Sequence, residues 1–300
     1  MLTICIPIYN HDVRPLVSAI CSQAAAVDGS IDVVCLDDGS LPSYKVLNSE
    51  VDSLCRYIEL PQNVGRSRIR NSFLNYLSPE CTHMLFMDCD LLVTDSQFVE
   101  RYYKAMAAGE QVVVGGHVYP SECPSADCRL HYMNGVNRVS KSAEERNKHP
   151  HRSFMTGNFM IRRDILERIP FDEQIVGYGH EDTLMGYRLL QQGIPILHIQ
   201  NPLLAKDLDT NAEFLDKTRA SIENLVLISQ RLGDPEFDRQ VTLLRYGRMA
   251  NRLHLARIGR WAFRLMRRRM EARFMRGCGS TTEFLIYKLG FLFHEYALHS

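Results

Sequence analysis

Nowhere in the 300 residues do apolar side chains run unbroken for the roughly 18 positions that a membrane-spanning helix needs. No secretory leader is expected either, because a strand-like run, "LTICIPIY", follows directly after Met1. Nine cysteines are present, but none are paired at metal-finger spacing. Cys123 and Cys128 are separated by four residues with no second pair nearby, which argues against structural zinc. Reduced thiols packed in the core of a cytosolic protein are expected instead. There is no internal repeat and no low-complexity tract. Net charge is lacking too, since 35 Lys and Arg balance 35 Asp and Glu. That balance conceals a segregation. Between Leu243 and Arg276 stand eleven arginines and one acid, Glu271, so this segment carries about +10 and the rest about −10.

The apolar residues that are present fall into short runs. Strands are expected over residues 3–8, 31–37, 56–59, 83–87 and 111–114, several of them apolar on successive positions, as in a parallel sheet covered on both faces. Helical patterns occupy 13–25, 42–54, 65–76 and 96–107 between them. This alternation predicts an α/β fold with a doubly wound, mostly parallel sheet flanked by helices. Ligands of such sheets sit at the carboxyl ends of the strands. The prominent polar residues fall there: Asn10, Asp37 and Asp38, then Asp88 and Asp90. From Tyr119 to Arg152 the pattern dissolves into a long loop rich in proline, serine and charge. "GYGHEDTLMGYRLLQQG" then reads as a helix with acids in its first turn and Gly193 as its stop. A helix over 210–231 follows, and Gly233-Asp234-Pro235 marks a boundary, giving residues 1–235 and 236–300 as two parts.

The acids suggest chemistry. Asp88-Cys89-Asp90 ends an apolar strand with two hard oxygen ligands suited to Mg²⁺ or Mn²⁺. Such a cation bridges carboxylates to phosphate oxygens and neutralises a leaving group. "CLDDGS" offers carboxylates to a ribose hydroxyl or a base N–H. "NVGRSRIRN" supplies a tight turn at Gly65 and puts Arg66 and Arg70 on one helix face, suited to phosphate or base contact. Glu181-Asp182 adds a carboxylate free to act as a base if it lies opposite the metal. Each motif has a plainer reading: an ordinary turn, a solvated helix face, favourable charge at a helix start. Their joint appearance at successive strand ends favours the chemical one.

In these residues ("ICIPIYN", "CLDDGS", "NVGRSRIRN", "FMDCD" and "GHEDTLMGYRL") the chain resembles family 2 glycosyltransferases of the GT-A fold, over residues 2 to about 230. The resemblance implies inverting transfer from a nucleoside-diphosphate sugar, most often a UDP-sugar, to an acceptor hydroxyl. It implies that Asp37 or Asp38 meets the nucleotide, that Arg70 sits near base or diphosphate, and that Asp88 and Asp90 hold ribose and metal. Asp182 is then the base, with Glu181 beside it. Pro7, Tyr9, Asn10, Arg66, Gly157 and Asn158 are further implied donor contacts, although Met155–Asn158 reads equally well as a hairpin turn. Relatives often carry a metal-binding histidine after the "ED" helix. Here "QNPLLAKDLD" places Ala205 at that position, followed by Lys206, so the metal is held more weakly, or Lys206 supplies the charge, or the enzyme is weak. His198, in an apolar run, reads as a core residue, and His180 as a candidate substrate contact.

In the tail, Leu255, Ile258, Ala262, Met266, Met270 and Phe274 recur at helical spacing, with Arg257, Arg260, Arg264, Arg267 and Arg268 largely elsewhere. This basic amphipathic helix suits an anionic membrane surface on the cytoplasmic side, and packing on the acidic body is the alternative. No aromatic-basic module for nucleic acid is visible. The expected acceptor is a growing surface glycan or lipid-linked glycan. Two other readings remain: a nucleotidyltransferase, and an inactive GT-A protein that binds nucleotide sugar or glycan as a partner subunit.

Overall fold

The computed structural model describes residues 1–298; His299 and Ser300, the end of the apolar C-terminal run, lie outside the described residues. Seven strands form the main sheet: β1 (Leu2–Ile8), β2 (Ile31–Asp37), β3 (Arg56–Glu59), β4 (His83–Met87), β6 (Val112–Val114), β8 (Asn158–Arg162) and β9 (Leu197–His198). Their spatial order is β3-β2-β1-β4-β8-β6-β9. All neighbouring pairs are parallel except those of β8, which runs antiparallel to β4 and β6. A smaller sheet orders β5 (Leu91–Leu92), β10 (Leu203–Ala205) and β7 (His117–Val118) as β5-β10-β7. The five expected strands are present, each within one residue of its expected ends.

The continuous apolar runs explain the layers. Ile4, Ile6 and Ile8 face one core with the Arg14–Ala26 and Phe98–Ala107 helices; Cys5, Val34, Phe86 and Phe159 face the other. A third core is helical: Phe214, Ile222, Leu225, Phe263, Phe274, Phe284, Tyr287 and Phe291. The Glu181–Gln191 helix joins two of them, with Met185 and Leu189 against the sheet and Leu184 and Tyr187 in the helical core.

Two expectations change. Residues 119–152 are not a bare loop. Helices cover Arg129–Asn134 and Ala143–Asn147, the latter opened by a Ser142/Glu145 capping box. The tail helix, Ala256–Met275, is present, but only the C-terminal end of the expected stripe is buried. Phe263, Met270 and Phe274 are buried, while Leu255, Ile258 and Met266 stay exposed. The aromatic rings bury more area than the aliphatic stripe, and Phe263 and Phe274 pack edge-on against Tyr287 of the Thr281–Leu298 helix. Among the described residues no helix is long and apolar enough to cross a membrane.

Candidate active site

The carboxyl ends of β1, β2 and β4 converge. Asn10 adopts a left-handed backbone, φ 51°. Its N–H donates to Ser40 Oγ at 2.9 Å, and its Oδ1 accepts from the Leu41 N–H at 2.8 Å, stitching β1 to the Asp37–Ser40 turn. Asp37 is buried and accepts from Ser40 N–H at 2.7 Å and Tyr57 O–H at 2.9 Å. Asp38 accepts from Val64 and Gly65 N–H at 2.7 and 3.1 Å, so it holds the turn that opens the Arg66–Ser72 helix. Burial raises its pKa. Both acids are therefore structural first; a second lone pair on each oxygen remains for a nucleotide. Pro7 is half-buried beside them and Tyr9 is exposed.

The centre is an ion network across two sequence-distant motifs. Arg70 is buried and its Nη2 donates to Asp88 Oδ1 at 2.5 Å. Arg66 reaches Asp88 Oδ2 with Nη2 at 3.5 Å and donates from Nε to Glu181 Oε1 at 2.6 Å. Its guanidinium also lies over the Tyr178 ring, 5.5 Å from the centroid. Burial works to raise the pKa of Asp88 and of Glu181, but the arginines outweigh it and both are lowered. Asp182 goes the other way. Burial first, then the Glu181 carboxylate, push it up to about 6, against bonds from Thr183 that lower it. Two adjacent acids thus have opposed protonation tendencies, the arrangement that separates a charge-bearing residue from a proton acceptor.

A divalent cation has a partial protein cage here. Among the described residues no three acidic, histidine or cysteine side chains gather to hold a metal. Asp88 is neutralised by two arginines. Asp90 is exposed at the rim and makes no ion pair among the described residues; desolvation by the surrounding protein and then Asp88 raise its pKa. A positive charge beside Asp90 would relieve that strain. The donor set therefore fits a cation shared between Asp90 and phosphate oxygens, as magnesium is commonly held. The antiparallel register pairs Ala205 with Leu91, so the next residues along the two chains are Lys206 and Asp90. The residue after the missing histidine is thus carried toward the acid that makes no direct ion pair among the described residues.

Other candidates separate. The Gly157 carbonyl accepts from Asp88 N–H at 3.1 Å, and a Cβ there would stand 2.9 Å from Asp88 Oδ2, so any larger residue would have to displace the Asp88 or His117 side chain. Asn158 belongs to the sheet rather than to the cleft. Its amide donates to the Gly116 and Asn201 carbonyls at 2.8 and 2.9 Å, and its oxygen accepts from Tyr102 at 2.7 Å. No amide donor is left for a ligand. The Gly115-Gly116 pair does admit a close neighbour, the Arg146 guanidinium, which donates to the Gly115 and Ile199 carbonyls. His198 is a core residue bonded to the Pro150 carbonyl, its pKa lowered to about 4 by burial. His180, left-handed at φ 68°, contacts Thr183 Oγ1 at 3.0 Å. Sequence reasoning missed His117, whose buried Nε2 has no partner and which lies against Asp88 across Gly157. The "GGH" triplet was its only sequence signal.

A family model described as glycosyl transferase family 2 matches residues 3–170. No curated protein sequence matches the chain. Among solved structures, mannosyltransferase PcManGT from Pyrobaculum calidifontis, in complex with GDP-Man and Mn²⁺, is 15% identical with a TM-score of 0.58, over 99% of this chain and 86% of that one. Glucosyl-3-phosphoglycerate synthase from Mycobacterium tuberculosis, with Mg²⁺ and UDP, is 20% identical with a TM-score of 0.52, over 78% and 80%. The match to S. aureus TarS, 16% identical with a TM-score of 0.49 over 73% of this chain, spans only 38% of that longer chain. The likenesses to the mannosyltransferase and to the synthase support the fold. With the family model covering more than half the chain and its motifs gathered around Arg66, the protein belongs to glycosyl transferase family 2.

Proposed function

We propose that the protein is an inverting glycosyltransferase that moves a sugar from a nucleoside-diphosphate donor, UDP-linked in the first instance, to an acceptor hydroxyl of a growing surface glycan. One observation carries the reading: a single arginine, Arg66, touches both Asp88 and Glu181, so the strand-tip acids and the helix-start acids face one cleft. Asp182 accepts the acceptor's proton as its oxygen bonds to the anomeric carbon, while the anomeric C–O bond breaks and the diphosphate leaves with the electron pair. Arg66 supplies positive charge on the donor side. A Mn²⁺ or Mg²⁺ ion at Asp90 would neutralise further charge on the departing diphosphate, worth about 4 kcal/mol per pair of unit charges at 4 Å and an effective dielectric near 20. The relatives crystallised with nucleotide and Mn²⁺ or Mg²⁺ support that choice of group.

The two-part division at residue 235 is retained as a functional one. Leu253, Leu255, Ile258, Trp261, Leu265 and Met266 are exposed in the arginine-rich segment. Arg257, Arg260, Arg264 and Arg268 make no ion pair among the described residues. Apolar side chains mixed with unpaired cations suit an anionic membrane face, at roughly 1 kcal/mol per basic residue near the surface.

A thermal-shift screen of nucleotide sugars with and without Mn²⁺, repeated on Asp90→Ala, tests the reading. Donor at about 100 times its dissociation constant should stabilise by about 2.7 kcal/mol. Absence of any nucleotide-sugar shift sinks it. Asp182→Asn separates the alternatives: a nucleotidyltransferase keeps its activity, and a glycosyltransferase loses it.

A further inference from the structure

A cavity of about 310 Å³ opens along the flank of the Glu181–Gln191 helix. One wall is the segment between β7 and β8, the other is the Pro235–Gln240 helix and the start of the helix after it. Its polar lining is unbalanced. The Lys141 ammonium and the His149 ring have no hydrogen-bond or ion-pair partner among the described residues. Arg152 uses only Nε, donating to Gln240 Oε1 at 2.6 Å, and its terminal nitrogens are free. The one acid in the lining, Glu145, accepts from the Ser142 N–H at 3.4 Å in the capping box of its own helix. Arg66, Arg70, Arg188 and Arg231, by contrast, are paired with carboxylates. Unlike the unpaired arginines of the tail, these three cationic or N–H-bearing groups converge on one cavity whose lining holds a single acid.

The cavity also borders the residue that holds the proposed base. Thr183 lines it, and the Thr183 hydroxyl and N–H both donate to Asp182 Oδ1, at 3.2 and 2.6 Å. From Thr183 to Leu190, also in the lining, the helix extends about 10 Å at 1.5 Å per residue. That length leaves room for one sugar ring between a hydroxyl at Asp182 and an anion among Lys141, His149 and Arg152.

We propose that this cavity is the acceptor's anion subsite, and that the acceptor is a sugar or polyol bearing a phosphate about one ring away from its reactive hydroxyl. The assignment rests on the transferase reading above. A phosphate offers three acceptor oxygens to three separate donors, and charge-assisted bonds of this kind are the strong ones. The same chemistry comes from a free sugar phosphate or from a lipid-borne one.

The test is calorimetric titration of inorganic phosphate and glucose 1-phosphate into the full chain saturated with UDP and Mn²⁺, or with GDP if the donor screen selects it, so that the donor phosphates are already in place. Both should bind. The double variant Lys141→Ala/Arg152→Ala should weaken them by about tenfold to a hundredfold, with nucleotide affinity and thermal midpoint unchanged because both side chains are exposed. Unchanged phosphate affinity in the double variant, or phosphate binding that disappears when nucleotide is bound, overturns the subsite. A wild-type chain that binds phosphate but no nucleotide overturns the transferase reading instead, and the acceptor assignment with it. Polyprenyl phosphate in detergent micelles provides the second arm. Tighter binding than glucose 1-phosphate assigns the phosphate to a lipid carrier, and equal or weaker binding to a soluble acceptor; both keep the subsite.

Discussion

Replacing Asp182 with asparagine should move activity and stability in opposite directions. Asparagine keeps the oxygen that accepts from Thr183 N–H and Oγ1, so the helix start should survive. What disappears is the ability to take a proton. A positioned general base contributes typically 10²–10⁴-fold, about 3–5 kcal/mol of barrier. The turnover number should fall by that factor while donor affinity stays within about twofold. Stability should rise. The folded Asp182 pKa of about 6 stands above its ordinary 3.8, because burial and then Glu181 disfavour the charge. A raised carboxyl pKa means that ionisation opposes folding: the group's favourable contribution is full below pH 3.8 and is lost as pH climbs through 6. Two units at 1.4 kcal/mol each set an upper bound of about 3 kcal/mol. The asparagine variant, with no charge to bury, should therefore melt a few degrees higher at pH 7.5 and gain nothing at pH 4. In the wild type the rate should rise with pH and level off above about 6, as the carboxylate forms. Transfer kinetics across pH 5–8 and paired thermal melts at pH 4 and 7.5 measure all of this. A variant that keeps more than a tenth of the wild-type rate, or melts lower at pH 7.5, refutes the assignment of Asp182 as a buried base.

Arg66→Ala removes the one side chain that, among the described residues, makes ion pairs with both Asp88 and Glu181. Donor affinity should drop at least tenfold in calorimetry, and urea stability should fall by about 1–3 kcal/mol, because the buried Glu181 carboxylate is left without its paired charge. Asp90→Ala should abolish the Mn²⁺ dependence of nucleotide binding, whereas Lys206→Ala should steepen it; equal metal dependence in both variants and wild type would remove Asp90 from the site. Phe274→Ala opens a hole in the helical core and should cost about 3–5 kcal/mol in denaturant melts. Co-flotation with anionic liposomes should be lost when residues 253, 258, 261 and 265 are made polar. Flotation by neither wild type nor variant ends the membrane proposal.

Much of the site was legible because its parts are local. An apolar run ending in Asp88 and Asp90, an aspartate pair before Gly39, and two acids opening a helix are patterns within ten residues, set by backbone geometry and burial. They announced the α/β alternation, the strand tips and the family. The sequence could not say what the arginines do. Arg66 and Arg70 share a helix face, but only the fold brings Asp88 to both and Glu181, 115 residues away, to Arg66. Asn158 looked like a ligand contact, yet its amide closes the sheet between Gly116 and Asn201. The tail showed one apolar stripe, of which Met270 and Phe274 are buried while Leu255, Ile258 and Met266 are exposed. That split follows the aromatic partners of Tyr287, which local periodicity does not contain. Residue spacing along the chain thus determined which elements form and which acids sit at their ends. Which charges neutralise one another, and which stay unpaired around the cavity at Lys141 and Arg152, was decided by tertiary packing, because an ion pair depends on distance in space and on shielding from water rather than on order in the chain.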